Sequence, residues 1–298
     1  MKIVGMSPTQ YFLSRRAKHA FLSPIYSYAN RVIEHMDKVR IKLVIIGHMP
    51  LHLSLSEVSA WRSEVFELVG GVDNFALRCD SDRGDWVFSD KLLKTQLPAH
   101  TDADFLIALV NVPIEDNWYS RRLGGNQIVF TFSQIREFLA WENIPLENAI
   151  FRILYSYTLL YRRSGNKIPG FGVAPSFTHD ETRGCLFDMN GIKSDLVESC
   201  NKPIVCGECE ERLRNERVST QMIKTVQKEI RKIRKHLYYR AFDFVKAKPV
   251  ATLVISSTFA ILLGVAGSLI ASYIYDNVKP QPPVDIQSQI SEATEVDS

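Results

Sequence analysis

Charge is missing from one stretch of this 298-residue chain: the 26 residues from Val250 to Tyr275 contain no Asp, Glu, Lys or Arg. As a helix at about 1.5 Å per residue, that run is about 39 Å long, against a hydrocarbon core of about 30 Å. A buried core helix of that length normally carries some charge, so the run is expected to span a membrane once. Other absences narrow the function. The net charge is only +3, from 36 basic and 33 acidic residues, which does not imply wholesale nucleic-acid binding, and no specific nucleic-acid partner is expected. There is no Walker A loop, no GxSxG and no dinucleotide fingerprint. The first 25 residues hold Arg15, Arg16, Lys18 and His19 and no apolar core of signal-peptide length. With 46% apolar and 23% charged residues, the chain as a whole is neither disordered nor collagen-like.

The flanks of the apolar run are asymmetric. Twelve Lys or Arg lie between Arg212 and Lys248, whereas the segment after the run has Lys279 against Asp276, Asp285, Glu292, Glu295 and Asp297. Basic flanks stay cytoplasmic, so the long N-terminal part is expected in the cytosol and the short acidic tail outside. Within the run, Ser256, Ala260, Gly264, Ser268 and Ser272 recur every fourth residue. Small residues at that spacing let two helix backbones approach, and homo-oligomerisation is the expectation. Upstream, Ile223, Val226, Ile230, Ile233 and Leu237 follow a three-four spacing, opposite Lys224, Lys228, Arg231, Lys232, Arg234 and Lys235. That pattern fits a coiled-coil seam, a helix packed on its own domain, or a basic helix on anionic headgroups.

Five segments result: a helical stretch at 1–39, an α/β domain at 40–210, a basic amphipathic or coiled-coil stalk helix at 211–248, the membrane helix at 249–275 and a disordered acidic tail at 276–298. In the α/β domain, strands are expected at Ile41–Gly47, Asn74–Arg78, Asp104–Val112 and Gln127–Phe132. Helices are expected at Ser54–Val69 (capped by Ser54), Ser133–Trp141 and Leu146–Arg162. Arg121-Arg122-Leu123-Gly124-Gly125 reads as a hairpin loop. Asp80, Asp82 and Asp85 read as a solvated loop, since a calcium loop would close on Glu where Lys91 stands.

Five cysteines, an odd number, argue against a disulfide framework in a cytosolic domain. Cys206-Gly-Glu-Cys209 is a CxxC pair, and His179 and Cys185 lie some twenty residues earlier. Together they supply four ligands of the kind tetrahedral zinc prefers, with Asp180 as an alternative to His179. A redox pair or unrelated buried thiols are the competing readings.

The block His179–Leu213 (HDETRGCLFDMNGIKSDLVESCNKPIVCGECEERL) resembles the C-terminal part of archaemetzincins. In that family a zinc-binding His precedes Cys, four residues, Cys and a hydrophobic-Met pair. An Asp and a CxxC follow, and four cysteines hold a second, structural zinc. Here His179 matches the His, Asp180 stands in place of the first Cys, and Cys185 matches the second. Leu186-Phe187 replaces the hydrophobic-Met pair, and Asp195, Cys206 and Cys209 match the rest. The strand and helix order of the upstream residues extends the resemblance, whose motif covers 35 residues. It implies a zincin-like α/β fold with a structural zinc. A working zincin also needs HExxH on a helix, and Glu147–Arg162 has no His. Histidines four apart occur at His48 and His52, but they flank Pro50 with no Glu between them.

The resulting expectation is a membrane-anchored, non-catalytic sensor or effector that binds zinc, a membrane, further copies of itself, and an unidentified cytosolic protein or small molecule. Such a device would suit a prokaryotic stress or phage-defence effector. The alternatives are a membrane-tethered peptidase using His48, His52 and Glu57, and a scaffold whose helix only localises it.

Overall fold

A computed structural model describes residues 37–99, 102–170, 172–173, 183–188 and 192–278. The chain divides into two compact units, the first ending at His236 and the second beginning at Leu237. The expected helical segment at 1–39 and the tail after Val278 lie almost wholly outside the described residues, as do His179 and Asp180.

The first unit is mixed α/β. Its sheet comprises β1 (Val39–Ile46), β2 (Phe66–Phe75), β3 (Phe105–Val110), β4 (Ser120–Gly124) and β5 (Gln127–Thr131), in the order β2-β1-β3-β5-β4. All neighbours are parallel except β4 and β5. Alternate residues of β1 and β3 face opposite layers. Ile41, Leu43, Ile45, Phe105, Ile107 and Leu109 enter the larger core, and Val44, Ile46, Leu106, Ala108 and Val110 enter the smaller one. Every residue of β3 is buried, as a central parallel strand covered on both faces requires. The smaller core is closed by α2 (Asp90–Gln96) through Leu93.

The larger core contains α1 (Leu55–Ala60), α3 (Ile135–Trp141) and α4 (Leu146–Arg163), with α4 buried from Leu146 to Tyr161. Below α4 lie α5 (Leu196–Ser199), α6 (Gly207–Asn215) and α7 (Thr220–Ile230). Glu229 of α7 accepts hydrogen bonds from Ser63 Oγ (2.7 Å), the Glu64 N–H (2.8 Å) and the Tyr155 hydroxyl (2.7 Å). One buried carboxylate thereby ties α7 to α4 and to the lead-in of β2.

Three sequence expectations are corrected. The helix expected over Ser54–Val69 ends at Ala60. Ser54 caps it as anticipated, accepting from the Glu57 N–H. From Phe66 the chain instead joins β1, because a parallel partner satisfies the backbone and buries Val65 and Phe66. Gly70 and Gly71, both at positive φ (69° and 70°), take up the register shift in that pairing, and a Cβ on Gly70 would sit 2.8 Å from Lys42 Nζ. The expected hairpin loop at Arg121–Gly125 is largely strand β4, with Arg121 paired to Val129 and Arg122 to Ile128.

The third correction concerns the stalk. Residues 211–248 are not one helix: they pass through α6 and α7, then irregular backbone, then α8 (Leu237–Ala247). Ile223, Val226, Ile230 and Ile233 are at most 1% exposed and belong to the larger core. The seam is used inside the domain, so those four side chains are not available to a coiled coil. Leu237, the last residue of the spacing, lies on α8 and is 75% exposed.

The second unit holds α8 and α9 (Pro249–Val278). Among the described residues α9 is the one helix long and apolar enough to cross a membrane, with a mean hydropathy of 2.2 and no buried residue. It runs three residues past the expected end at Tyr275. Ser256, Ala260, Gly264, Ser268 and Ser272 all lie on it and are exposed.

Candidate metal centre

The three cysteines converge because two backbone segments are clamped side by side. Cys185 forms an isolated parallel bridge with Ile204. The Leu186 N–H donates to the Ile204 carbonyl at 2.7 Å, and the Ile204 N–H to the Gly184 carbonyl at 3.0 Å. Two residues beyond Ile204 comes Cys206, which caps α6, and Cys209 lies in the first turn of that helix. A CxxC at a helix start thus faces a cysteine presented by the neighbouring bridged segment. Gly184, at φ +80°, makes the turn that brings Cys185 in, a conformation a side chain would strain.

The Sγ atoms of Cys185, Cys206 and Cys209 all lie within 4.8 Å of one another, and among the described residues they form the one cluster of three or more metal-ligating groups. A tetrahedron of thiolates at about 2.3 Å from zinc has sulfurs about 3.8 Å apart, so the spacing and the soft donor set suit zinc. All three cysteines are buried, Cys206 being 8% exposed. The Cys209 thiol is held well above its ordinary pKa, first by its hydrogen bond with Cys185 and then by burial. A bound cation would offset that cost at Cys209 by taking its sulfur as a thiolate.

Cys200 does not join them. It is fully buried, its thiol is pushed up to about 12 by burial against the opposing pull of Arg152, and its carbonyl accepts from Asn148 Nδ2 at 2.9 Å. Cys79 is half-buried and is not a member of the cluster.

Sequence reasoning missed the residues that hold this turn in place. Arg152 of α4, fully buried, donates from Nε to Ser199 Oγ at 2.6 Å and from Nη2 to the Asp188 carbonyl at 2.5 Å. The Tyr119 hydroxyl donates to the same carbonyl at 3.4 Å. Burial works against the guanidinium charge, but Tyr119, Cys200 and Asp188 around it raise its pKa overall. Arg152 and Asn148, one turn apart on α4, therefore fasten both the turn after Cys185 and the end of α5. The signal was in the sequence: Arg152 is the one charged residue between Ile150 and Leu160.

His48 and His52 follow β1 on a turn in which the Leu53 N–H donates to the Pro50 carbonyl at 3.2 Å. Both are exposed, as is Glu57 on α1, and no metal-ligating cluster includes them among the described residues. In the acidic loop, Asp82 accepts from the Ser89 N–H at 2.8 Å and from the Ser89 hydroxyl. Those two bonds lower its pKa and fix the start of α2.

No family model and no curated protein matches this chain. Among solved structures it is similar to archaemetzincin from Methanopyrus kandleri, at 15% identity and a TM-score of 0.35, over 60% of this chain and 95% of that one. At that identity and TM-score the likeness is too slight to assign an activity.

Proposed function

We propose that the protein is a membrane-anchored, non-catalytic zinc-binding sensor or effector. Its zinc is structural, held by Cys185, Cys206 and Cys209 with His179 or Asp180 as the fourth ligand. The observation that carries this reading is the convergence of three buried thiols on one point, which with a fourth ligand leaves no open position for substrate. Support also comes from α4. The side chains it offers the turn after Cys185 and the end of α5 are those of Arg152 and Asn148, a guanidinium and an amide, neither of which activates water at neutral pH. The helix α9 anchors the chain, the basic residues before it keep the α/β domain in the cytosol, and the small-residue face around Gly264 brings copies together.

Two measurements on the full chain in detergent test the proposal. Elemental analysis is expected to give one zinc per chain, lost in Cys206→Ser. Two zincs, or a peptide cleavage abolished by His52→Ala, would establish the tethered peptidase instead. Cross-linking is expected to give oligomers that Gly264→Leu disperses. Oligomers indifferent to that change, with function retained when a foreign helix replaces 250–275, would reduce the protein to a localised scaffold. Protease digestion of intact cells checks orientation: the cytosolic reading requires the α/β domain to survive.

A further inference from the structure

The helix α8 is amphipathic yet has no buried residue. At 3.6 residues per turn, Leu237, Tyr238, Ala241, Phe242, Phe244 and Val245 share one arc. The opposite arc carries Tyr239, Arg240, Asp243 and Lys246. The apolar arc is open, with Leu237 75%, Tyr238 74% and Phe242 47% exposed, and Asp243 and Lys246 on the opposite arc are exposed as well. An amphipathic helix normally has a partner for its apolar stripe, and the second unit supplies none for α8.

Three features of the chain say what covers it. First, α8 leads directly into α9, and Pro249 at the first position of α9 has no N–H to continue the ladder, which permits a bend between the two helices. Second, α9 alone is 30 residues, about 45 Å as a helix, which already exceeds a hydrocarbon core of about 30 Å. The helix α8 is therefore not needed to complete a span and falls at the water boundary. Third, the chain between Arg231 and Lys248 contains seven Lys or Arg against Asp243. Lys235 is engaged with Glu142 at 3.8 Å, and Lys246 lies with its Nζ 4.4 Å from the centre of the Phe242 ring, at the border between the two arcs. Tyrosine and phenylalanine on one side with cations at the rim is the composition of helices that lie in the headgroup layer.

We propose that α8 is an interfacial helix that lies flat on the membrane, its Leu237–Tyr238–Phe242–Val245 face sunk into the acyl boundary and its cations on the headgroups of an anionic leaflet. This rests on the reading of α9 as the membrane anchor. A second copy of the chain is the competing occupant of the same face.

The test uses the full chain reconstituted in vesicles of phosphatidylcholine, with or without phosphatidylglycerol. Phe242→Trp places a reporter in the α8 face, and Leu262→Trp places one in α9. Emission of the parent chain, which has four tryptophans, is subtracted. The added α8 tryptophan should be blue-shifted and protected from acrylamide. It should be quenched more by lipids brominated near the headgroup than by deeply brominated ones, and more strongly with phosphatidylglycerol present. Quenching by acrylamide but not by lipid would put the face in water and overturn the proposal. Protection from both quenchers would put a protein surface on it, a second copy, and would equally overturn it. Equal lipid quenching with and without phosphatidylglycerol would overturn the anionic assignment. Failure of the anchor reading is separately visible: the α9 tryptophan would then escape deeply brominated lipids.

Discussion

Arg152 donates a 2.5 Å hydrogen bond to the carbonyl of Asp188, three residues beyond the first cysteine of the metal cluster. The bond joins the longest helix of the α/β domain to the turn that presents Cys185. Replacing the guanidinium by a side chain of similar reach but no charge tests what it does. Arg152→Met is expected to cost about 3–5 kcal/mol, the range for removing one member of a buried charged network, because Ser199 Oγ and the Asp188 carbonyl then lose their donor and the Asp188 carboxylate loses a nearby positive charge. Zinc retention is the more specific readout. Loss of zinc to a chelator should become faster in Arg152→Met at temperatures where the domain is still folded, and Arg152→Lys should not restore it, having no planar fork to reach two acceptors.

The proposed zinc site separates the cysteines into three ligands and a bystander. Cys185→Ser, Cys206→Ser and Cys209→Ser should each abolish bound zinc, and Cys200→Ser should leave it intact. A structural zinc contributes on the order of 10 kcal/mol to a small metal domain. Losing even a third of that lowers the melting temperature of a domain this size by about 10 °C. Melting with and without chelator checks this, and only the three ligand variants should become insensitive to it.

Much of this arrangement is legible in the sequence, and the reasons for the misses are physical. The strands β1, β3 and β5 are compact apolar runs, and α3 and α4 have clean helical periodicity, so all five stand out. The CxxC at Cys206 and the isolated Cys185 announce the cluster of three thiols. Local pattern fails where tertiary pairing decides. Residues 61–69 carry a helical rhythm, yet Val65 and Phe66 gain more beside β1. Arg121 and Arg122 look like a basic turn, yet Arg121 is 8% exposed and held by Asp90 at 2.6 Å. The spacing of Ile223, Val226, Ile230 and Ile233 is real, but periodicity cannot say whether the partner is another chain or the same domain.

That last ambiguity has a direct test. Ile230 is 1% exposed in the larger core, so Ile230→Ala should destabilise the α/β domain by about 2–5 kcal/mol through the lost contacts and the cavity left behind. Denaturant unfolding of the full chain in detergent reads this. The destabilisation should be independent of protein concentration. A coiled-coil role would make it concentration-dependent, since association would then be linked to folding.

The tyrosines give the chain a pH response on the alkaline side. Tyr119 is pushed up to about 12, chiefly by burial, and Tyr155 and Tyr157 are raised for the same primary reason. The hydroxyl of Tyr155 also faces the Glu229 carboxylate, which further disfavours a phenolate there. In the unfolded chain these phenols ionise near their ordinary value of about 10. The folded state therefore holds protons that the unfolded state releases, and the stability this gives is complete below pH 10 and is lost as pH rises from 10 towards 12. Absorbance titration near 295 nm checks it. Tyr119, Tyr155 and Tyr157 should ionise together in one steep step that coincides with loss of the far-ultraviolet helical signal. Tyr155→Phe removes a hydroxyl that donates to Glu229 and accepts from Trp61. It should lower stability at neutral pH and make the alkaline step shallower, because one fewer proton is then released on unfolding.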